Sequence, residues 1–147
     1  MKSSNGNSHI PSIRSVQSNY SYDYGQWLMR FNWTYILTLR RHIPLTESAC
    51  MKIASNLLGY SKEIESIWLA LEQDRGDQMN HLHLIIESGT LHFTRKEMIE
   101  ALGIKRHPKT LSYLSQVDYS NSVAMYCAKH MGSRLIYHDF YSQKNIK

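Results

Sequence analysis

Apolar and polar residues repeat with two different periods along this chain, and the switches between them mark out its elements. Residues 31–40, Phe-Asn-Trp-Thr-Tyr-Ile-Leu-Thr-Leu-Arg, are aromatic and β-branched with partial two-residue alternation, which predicts a first strand. Trp33, Tyr35, Leu37 and Leu39 would share one face, and Thr34, Ile36, Thr38 and Arg40 the other. From Pro44 the period lengthens. Ala49, Cys50, Ile53, Leu57 and Leu58 form a helical stripe behind a Thr46 N-cap, with Glu47 in the first turn and Gly59 as the expected stop. Residues 63–73 and 80–87 return to the two-residue period. The polar segment Asp74-Arg75-Gly76-Asp77-Gln78 between them predicts a hairpin loop.

The register of that hairpin is fixed by its apolar residues. Pairing Gln73 with Asn80 sets Leu71 against Leu82, Leu69 against Leu84 and Ile67 against Ile86. One face of both strands is then wholly apolar, and a slip of one residue would destroy it. The same register sets Glu72 across from His81, with His83 beside His81 on the same face.

Beyond the hairpin, Thr94 and Glu97 form a capping box for a second helix, Phe93 can staple to Met98, and Gly103 ends it. Residues 110–117 suit a further strand. Asp118 is the expected cap of a third helix running from Tyr119 to Met131, with Gly132 as its stop and Val123, Ala124, Cys127, Ala128 and Met131 as its apolar stripe. Tyr126 and Lys129 neighbour each other on this helix and lie well off the stripe. Residues 134–137 suit a short last strand. The order β-α-β-β-α-β-α with a final strand predicts an antiparallel sheet with helices packed on it, an α+β fold. Residues 1–24, rich in Ser, Asn and Tyr, read as a flexible arm, residues 25–139 as the domain and residues 140–147 as a polar tail.

Composition narrows the classes. At 147 residues, with 42% hydrophobic and 20% charged residues, the chain suits one soluble globular domain. No apolar run approaches a membrane span, and the start Met-Lys-Ser-Ser-Asn-Gly lacks the apolar centre of a signal peptide. Cys50 and Cys127 are far apart and offer no disulfide framework. The expected setting is a reducing, cytoplasmic one. A formal charge of +5 with 10 Tyr fits a polyanionic partner, and single-stranded nucleic acid uses both features. Arg40 and Arg41 at the end of the first strand, and Lys105 and Arg106 before the fourth, are candidate phosphate contacts.

Two imidazoles and a carboxylate suit a divalent cation with open positions for water or substrate. A tyrosine hydroxyl can attack a phosphodiester and hold the product as a phosphotyrosine, conserving the bond for later rejoining. Tyrosine is a poor nucleophile at neutral pH, because its ordinary pKa is about 10. A metal that polarises the phosphate and a nearby lysine answer that weakness.

With these residues in view, the chain resembles the HUH endonuclease superfamily, and within it the rolling-circle replication initiators (Rep) of small circular single-stranded DNA replicons. Ile36-Leu37-Thr38-Leu39 is similar to the first motif, His81-Leu82-His83 to the second and Tyr126-Cys127-Ala128-Lys129 to the third, in the family's order. The resemblance spans roughly residues 31–138. It implies a five-stranded antiparallel sheet flanked by helices, in a ferredoxin- or RRM-like arrangement. It also implies a magnesium or manganese ion held by Glu72, His81 and His83, with Tyr126 as nucleophile and Lys129 assisting at the phosphate. The activity implied is site-specific nicking and joining of single-stranded DNA at a replication origin, leaving a free 3′ hydroxyl for a polymerase. No Gly-x-x-x-x-Gly-Lys-Ser/Thr loop occurs, so unwinding is expected from a separate helicase. Tyr119 is seven residues from Tyr126, outside the usual spacing of a second catalytic tyrosine, so completing a cycle calls for a second subunit or a strand-exchange step.

Three other readings stay open at the level of sequence. A single-tyrosine transposase of the same superfamily typically carries a Gln where Lys129 stands. A non-catalytic nucleic-acid-binding module would need stacking aromatics on an open sheet face, and the first strand has few there. A structural zinc site could recruit Cys127 and His130 to the two histidines.

Overall fold

The β2–β3 hairpin pairs in the register that its apolar residues demand, and the other strands line up on it. The structure, a computed structural model, describes residues 23, 25–76, 78–90, 92–129 and 134–143. In chain order its elements are β1 (Tyr35–Leu39), α1 (Glu47–Tyr60), β2 (Ile64–Gln73), β3 (Asn80–Ser88), α2 (Arg95–Leu102), a 3-10 turn (Pro108–Thr110), β4 (Leu111–Gln116), α3 (Ser120–Lys129) and β5 (Leu135–Ser142). The strands form one sheet in the order β4-β1-β3-β2-β5, and every neighbouring pair is antiparallel. β1 and β2 both flank β3, so α1 is a crossover, and β1, α1, β2, β3, α2 and β4 make a split β-α-β arrangement. β5 extends the sheet beside β2. This is the α+β, five-stranded antiparallel fold expected from the sequence.

Gln73 pairs with Asn80, Glu72 with His81, Leu71 with Leu82, Leu69 with Leu84 and Ile67 with Ile86. The apolar face they create, with Tyr35, Leu37 and Leu39 of β1, is sealed by α1 and α2. α1 contributes Cys50, Ile53, Ala54 and Leu57, and α2 contributes Met98, Ala101 and Leu102. Both helix starts are capped as the sequence requires. Thr46 accepts from the Ala49 N–H, and Thr94 and Glu97 form a reciprocal capping box. Gly103 ends α2 in the left-handed region at φ 77°, which a side chain would resist.

The opposite face is not simply polar. Trp68, Ala70 and Ile85 point into a second apolar cluster closed by Ala124 and Cys127 of α3 and by Leu28 and Trp33. α3 is tied to the segment before β1 by Ser120, whose hydroxyl donates to the Phe31 carbonyl and accepts the Trp33 N–H. The sheet is therefore covered on one side by α1 and α2, and over Trp68, Ala70 and Ile85 on the other side by α3.

Several expectations need correcting. Trp33 lies outside β1 and in the second cluster, not with Tyr35 and Leu37, because the chain turns before Tyr35 and the Trp33 indole N–H donates to the Leu28 carbonyl. Gly59 does not stop α1, which continues to Tyr60 and ends where Ser61 becomes extended. α3 begins at Ser120 rather than Tyr119, with the Val123 N–H bonded to the Tyr119 carbonyl, so Asp118 is not its cap. The last strand is longer than expected. Phe140 pairs with Trp68 and packs against Trp27 and Phe31, at ring centroid distances of 4.7 and 4.9 Å, so residues 140–142 belong to the sheet and not to a polar tail. The arm of residues 1–24, apart from Asp23, lies outside the described residues, as do His130, Met131 and Gly132.

Leu84 sits fully buried on the central strand. Leu84→Ala is expected to destabilise the fold by about 3 kcal/mol, the usual range for a buried leucine with no room to collapse. Urea denaturation should show a lowered midpoint with an unchanged slope.

Candidate metal centre

Alternation along β3 turns His81 and His83 away from the α1/α2 core, and the β2 register brings Glu72 to them. Their donor atoms converge. The two Nε2 atoms are 3.1 Å apart, and Glu72 Oε1 lies 3.3 Å from that of His81 and 3.4 Å from that of His83. Donors held about 2.1 Å from one ion stand roughly 3.0 Å apart at a right angle and roughly 3.4 Å apart at the tetrahedral angle. All three edges fall within that window. Glu72 is 5% exposed, while both imidazoles stay partly open to solvent, so a bound ion would keep an outward side for water or substrate. Among the described residues, these three are the one group of His, Cys, Asp and Glu side chains arranged to hold a metal ion.

Asp74 sets which nitrogen of His81 faces the cluster. Its Oδ1 lies 2.5 Å from His81 Nδ1. An ionised carboxylate only accepts, so His81 Nδ1 carries the proton and donates it. Neutral His81 then presents a lone pair on Nε2, aimed at another imidazole nitrogen and at a carboxylate oxygen. Acceptors facing acceptors are unfavourable until a proton or a metal ion sits among them. The proton solution shows in the titration of His81. The hydrogen bond to Glu72 raises its pKa, burial opposes this, and Asp74 adds to the rise, for a net value above the ordinary 6.5. Burial works to raise the Asp74 carboxyl, but the hydrogen bond from His81 and the Arg40 guanidinium outweigh it and hold Asp74 below its ordinary value. Carboxylate–histidine–metal chains of this kind fix the ring and its tautomer.

Asp74 reads as a loop residue in the sequence, and only the fold brings it to His81. Thr38 is a second addition, with its Oγ1 3.5 Å from His83 Nδ1. Arg40, expected as a phosphate contact, donates to Asp74 Oδ2 at 2.8 Å. It also lines a groove of about 470 Å³ with Arg41, His42, Arg106, His107 and Lys109, at the end of the sheet where β1 stops and β4 starts. The two basic clusters thus meet, with one exception. Lys105 lines a neighbouring recess with Arg95, Lys96 and Glu100.

Tyr126 and Lys129 lie in α3, on the same side of the sheet as the histidines, and their side chains are outside the described residues. The adjoining Cys127 is 3% exposed and packs on Trp68, Ala70 and Ile85. Its thiol is pushed up to about 12, first by burial and then by the negative charge of Glu72, so this stretch of α3 lies within electrostatic reach of the metal cluster. Among the described residues, Cys127 is not part of the converging group, and His130, the other residue of a zinc set, lies outside them. Cys50, pushed up to about 11 by burial, lies in the cluster on the other face, so the two cysteines do not approach each other.

Isothermal titration with Mn2+ should give one site, lost in His83→Ala. Asp74→Asn should weaken it about 10- to 100-fold, the usual effect of removing a carboxylate behind a ligating histidine. The pH dependence has opposite signs with and without metal. The raised His81 pKa contributes stability to the metal-free protein that is fully present below about 6.5 and lost as pH rises through the folded-state value. Metal binding needs the neutral ring, so the Mn2+-induced rise in Tm should grow as pH increases through that value. Thermal unfolding followed with and without Mn2+ across the neutral range checks both signs. The chain matches no protein-family model, no curated protein and no solved structure.

Proposed function

We propose that this chain is a metal-dependent nicking and joining endonuclease of the Rep type, which cuts single-stranded DNA at a replication origin and retains the 5′ phosphate on Tyr126. The observation that carries the reading is the convergence of Glu72, His81 and His83 on the sheet face against which α3 packs, the helix that holds Tyr126 and Lys129. Two further features support it. The basic groove adjoins the same end of the sheet, and His81 and His83 stay partly exposed.

A bound Mg2+ or Mn2+ would polarise the scissile phosphate and neutralise the charge that develops on it. The chain's own residues do the rest. Glu72, His81 and His83 would hold that ion on the sheet face against which α3 packs. Tyr126 Oη forms a bond to phosphorus, the bond from phosphorus to the 3′ oxygen breaks, and the phenolic proton is lost as the 3′ oxygen gains one. One phosphodiester replaces another, so the step is reversible, and the free 3′ hydroxyl serves either a polymerase or rejoining. Lys129, one helical turn from Tyr126, stabilises the phenolate or the phosphate as a point charge. Arg41 and Arg106 hold phosphates of the flanking strand, and Arg40 divides its charge between the groove and Asp74.

The test is a denaturant-resistant protein–DNA adduct formed with Mn2+ and a labelled pool of single-stranded DNA that includes the native replicon. Wild type should form it, Tyr126→Phe should not, and Lys129→Ala should form it about 100-fold more slowly. An adduct that survives in Tyr126→Phe would shift the nucleophile to another tyrosine, with Tyr119 next. DNA binding without any adduct would point to a non-catalytic binding module.

A further inference from the structure

Tyr113 is an aromatic side chain that neither the core nor the metal cluster uses. It lies on β4, the edge strand, and is 52% exposed. The strand registers fix which way it faces. Thr38 pairs with Tyr113 on one side and with His83 on the other. Directly opposed residues of antiparallel strands project from the same face. Tyr113, Thr38 and His83 therefore stand in one row across the sheet, and the short approach of Thr38 Oγ1 to His83 Nδ1 marks the row as the metal-bearing one. Two strand spacings separate Tyr113 from His83, about 10 Å between Cα atoms.

The next row on this face, Ser115, Ile36, Ile85, Trp68 and Phe140, runs into the apolar cluster under α3. The row of Tyr113 also reaches that cluster, at Ala70, which pairs with His83. Its Tyr113 end lies outside the cluster and is exposed, and the basic groove of Arg40, Arg41, Arg106 and Lys109 lies at the start of the same strand, where Thr110 leads into β4. An exposed aromatic ring in one row with His83, on the strand that the basic groove leads into, offers a single strand a place for a base beside two places for phosphates.

Resting on the nuclease reading above, we infer that Tyr113 is a base-stacking platform, which takes the base neighbouring the phosphate held at Glu72, His81 and His83. Stacking on one open ring is tolerant of base identity, so Tyr113 sets the position of the strand rather than its sequence. The groove beyond it carries the flanking phosphates. This gives the sheet face the stacking aromatic that β1 lacks.

Binding of a fluorescein-labelled oligothymidylate, followed by anisotropy over a range of salt, tests the inference. Tyr113→Ala should weaken binding about tenfold, by the same factor at every salt concentration, because no phosphate contact is lost. Tyr113→Phe should bind as wild type does. Tyr113→Trp should bind as well, with indole emission beyond that of wild type that is quenched by DNA. The Mn2+ affinity of Tyr113→Ala, titrated without DNA, should be unchanged. Equal binding by wild type and Tyr113→Ala would overturn the platform and leave the nuclease reading standing. A loss that vanishes at high salt would also overturn it, in favour of an indirect effect on the arginine groove. Wild-type protein that forms the Tyr126 adduct yet shows no quenching in Tyr113→Trp would separate cleavage from stacking. Wild-type protein that neither binds oligothymidylate nor forms the adduct would overturn both.

Discussion

The pairing of β2 with β3 is the constraint on which the rest depends. Six aliphatic residues, Ile67, Leu69, Leu71, Leu82, Leu84 and Ile86, must share one face, and each of those side chains is worth roughly 1.5–3 kcal/mol when fully buried. A slip of one residue would separate them. Because side chains alternate, the same requirement drives Glu72, His81 and His83 together on the far side. A buried carboxylate facing two imidazole nitrogens would be disfavoured as an isolated arrangement. The hydrophobic energy of the opposite face imposes it, and a proton or a cation relieves it. The convergence of these three donors is in this sense generated by the core.

The second face divides the labour. Over Trp68, Ala70 and Ile85 the sheet is closed by α3 and by an aromatic group from both ends of the domain, Trp27, Phe31 and Phe140. Thr38, His81 and His83 stay partly exposed among the described residues. Ser120 ties the start of α3 to Phe31 and Trp33, and Cys127 settles its middle against the sheet near Glu72. Asn80 works at the open end. Its buried side chain bonds both the N–H and the carbonyl of Leu45, which anchors the chain just after the Arg40–His42 cluster. Arg40, Asp74 and His81 then form a continuous hydrogen-bonded line from the basic groove to the metal cluster.

What the sequence made legible was whatever local pattern or register decides. The β2–β3 pairing and the Glu72–His81–His83 group follow from alternation alone, and the Thr94–Glu97 capping box from a four-residue motif. What stayed hidden depends on distant partners. Phe140 reads as a lone aromatic in a polar tail until Trp27 and Phe31 are beside it. Asp74 reads as hairpin loop, because nothing near it in the chain shows that it will turn back to His81 and meet Arg40. Trp33 continues the alternation of β1 on paper, yet Ser120 and Leu28 claim its N–H groups and take it to the opposite cluster. Arg40 was legible as a basic residue near the site, but not as the ion-pair partner that orients the carboxylate behind a ligand. Tyr113 needed the β1–β4 register, which pairs segments some seventy residues apart in the chain and carries no strong alternation of its own.

The account rests on one claim, that the cation held by β2 and β3 and the tyrosine carried by α3 act on the same phosphate. Anomalous diffraction from crystals of the protein grown with Mn2+ and a bound single-stranded DNA would test it most directly. The account predicts one manganese peak, about 2 Å from donor atoms of Glu72, His81 and His83, with a DNA phosphate on its open side and the Tyr126 hydroxyl in line with that phosphate. A manganese peak on other residues, or a Tyr126 hydroxyl remote from the metal-bound phosphate, would contradict it.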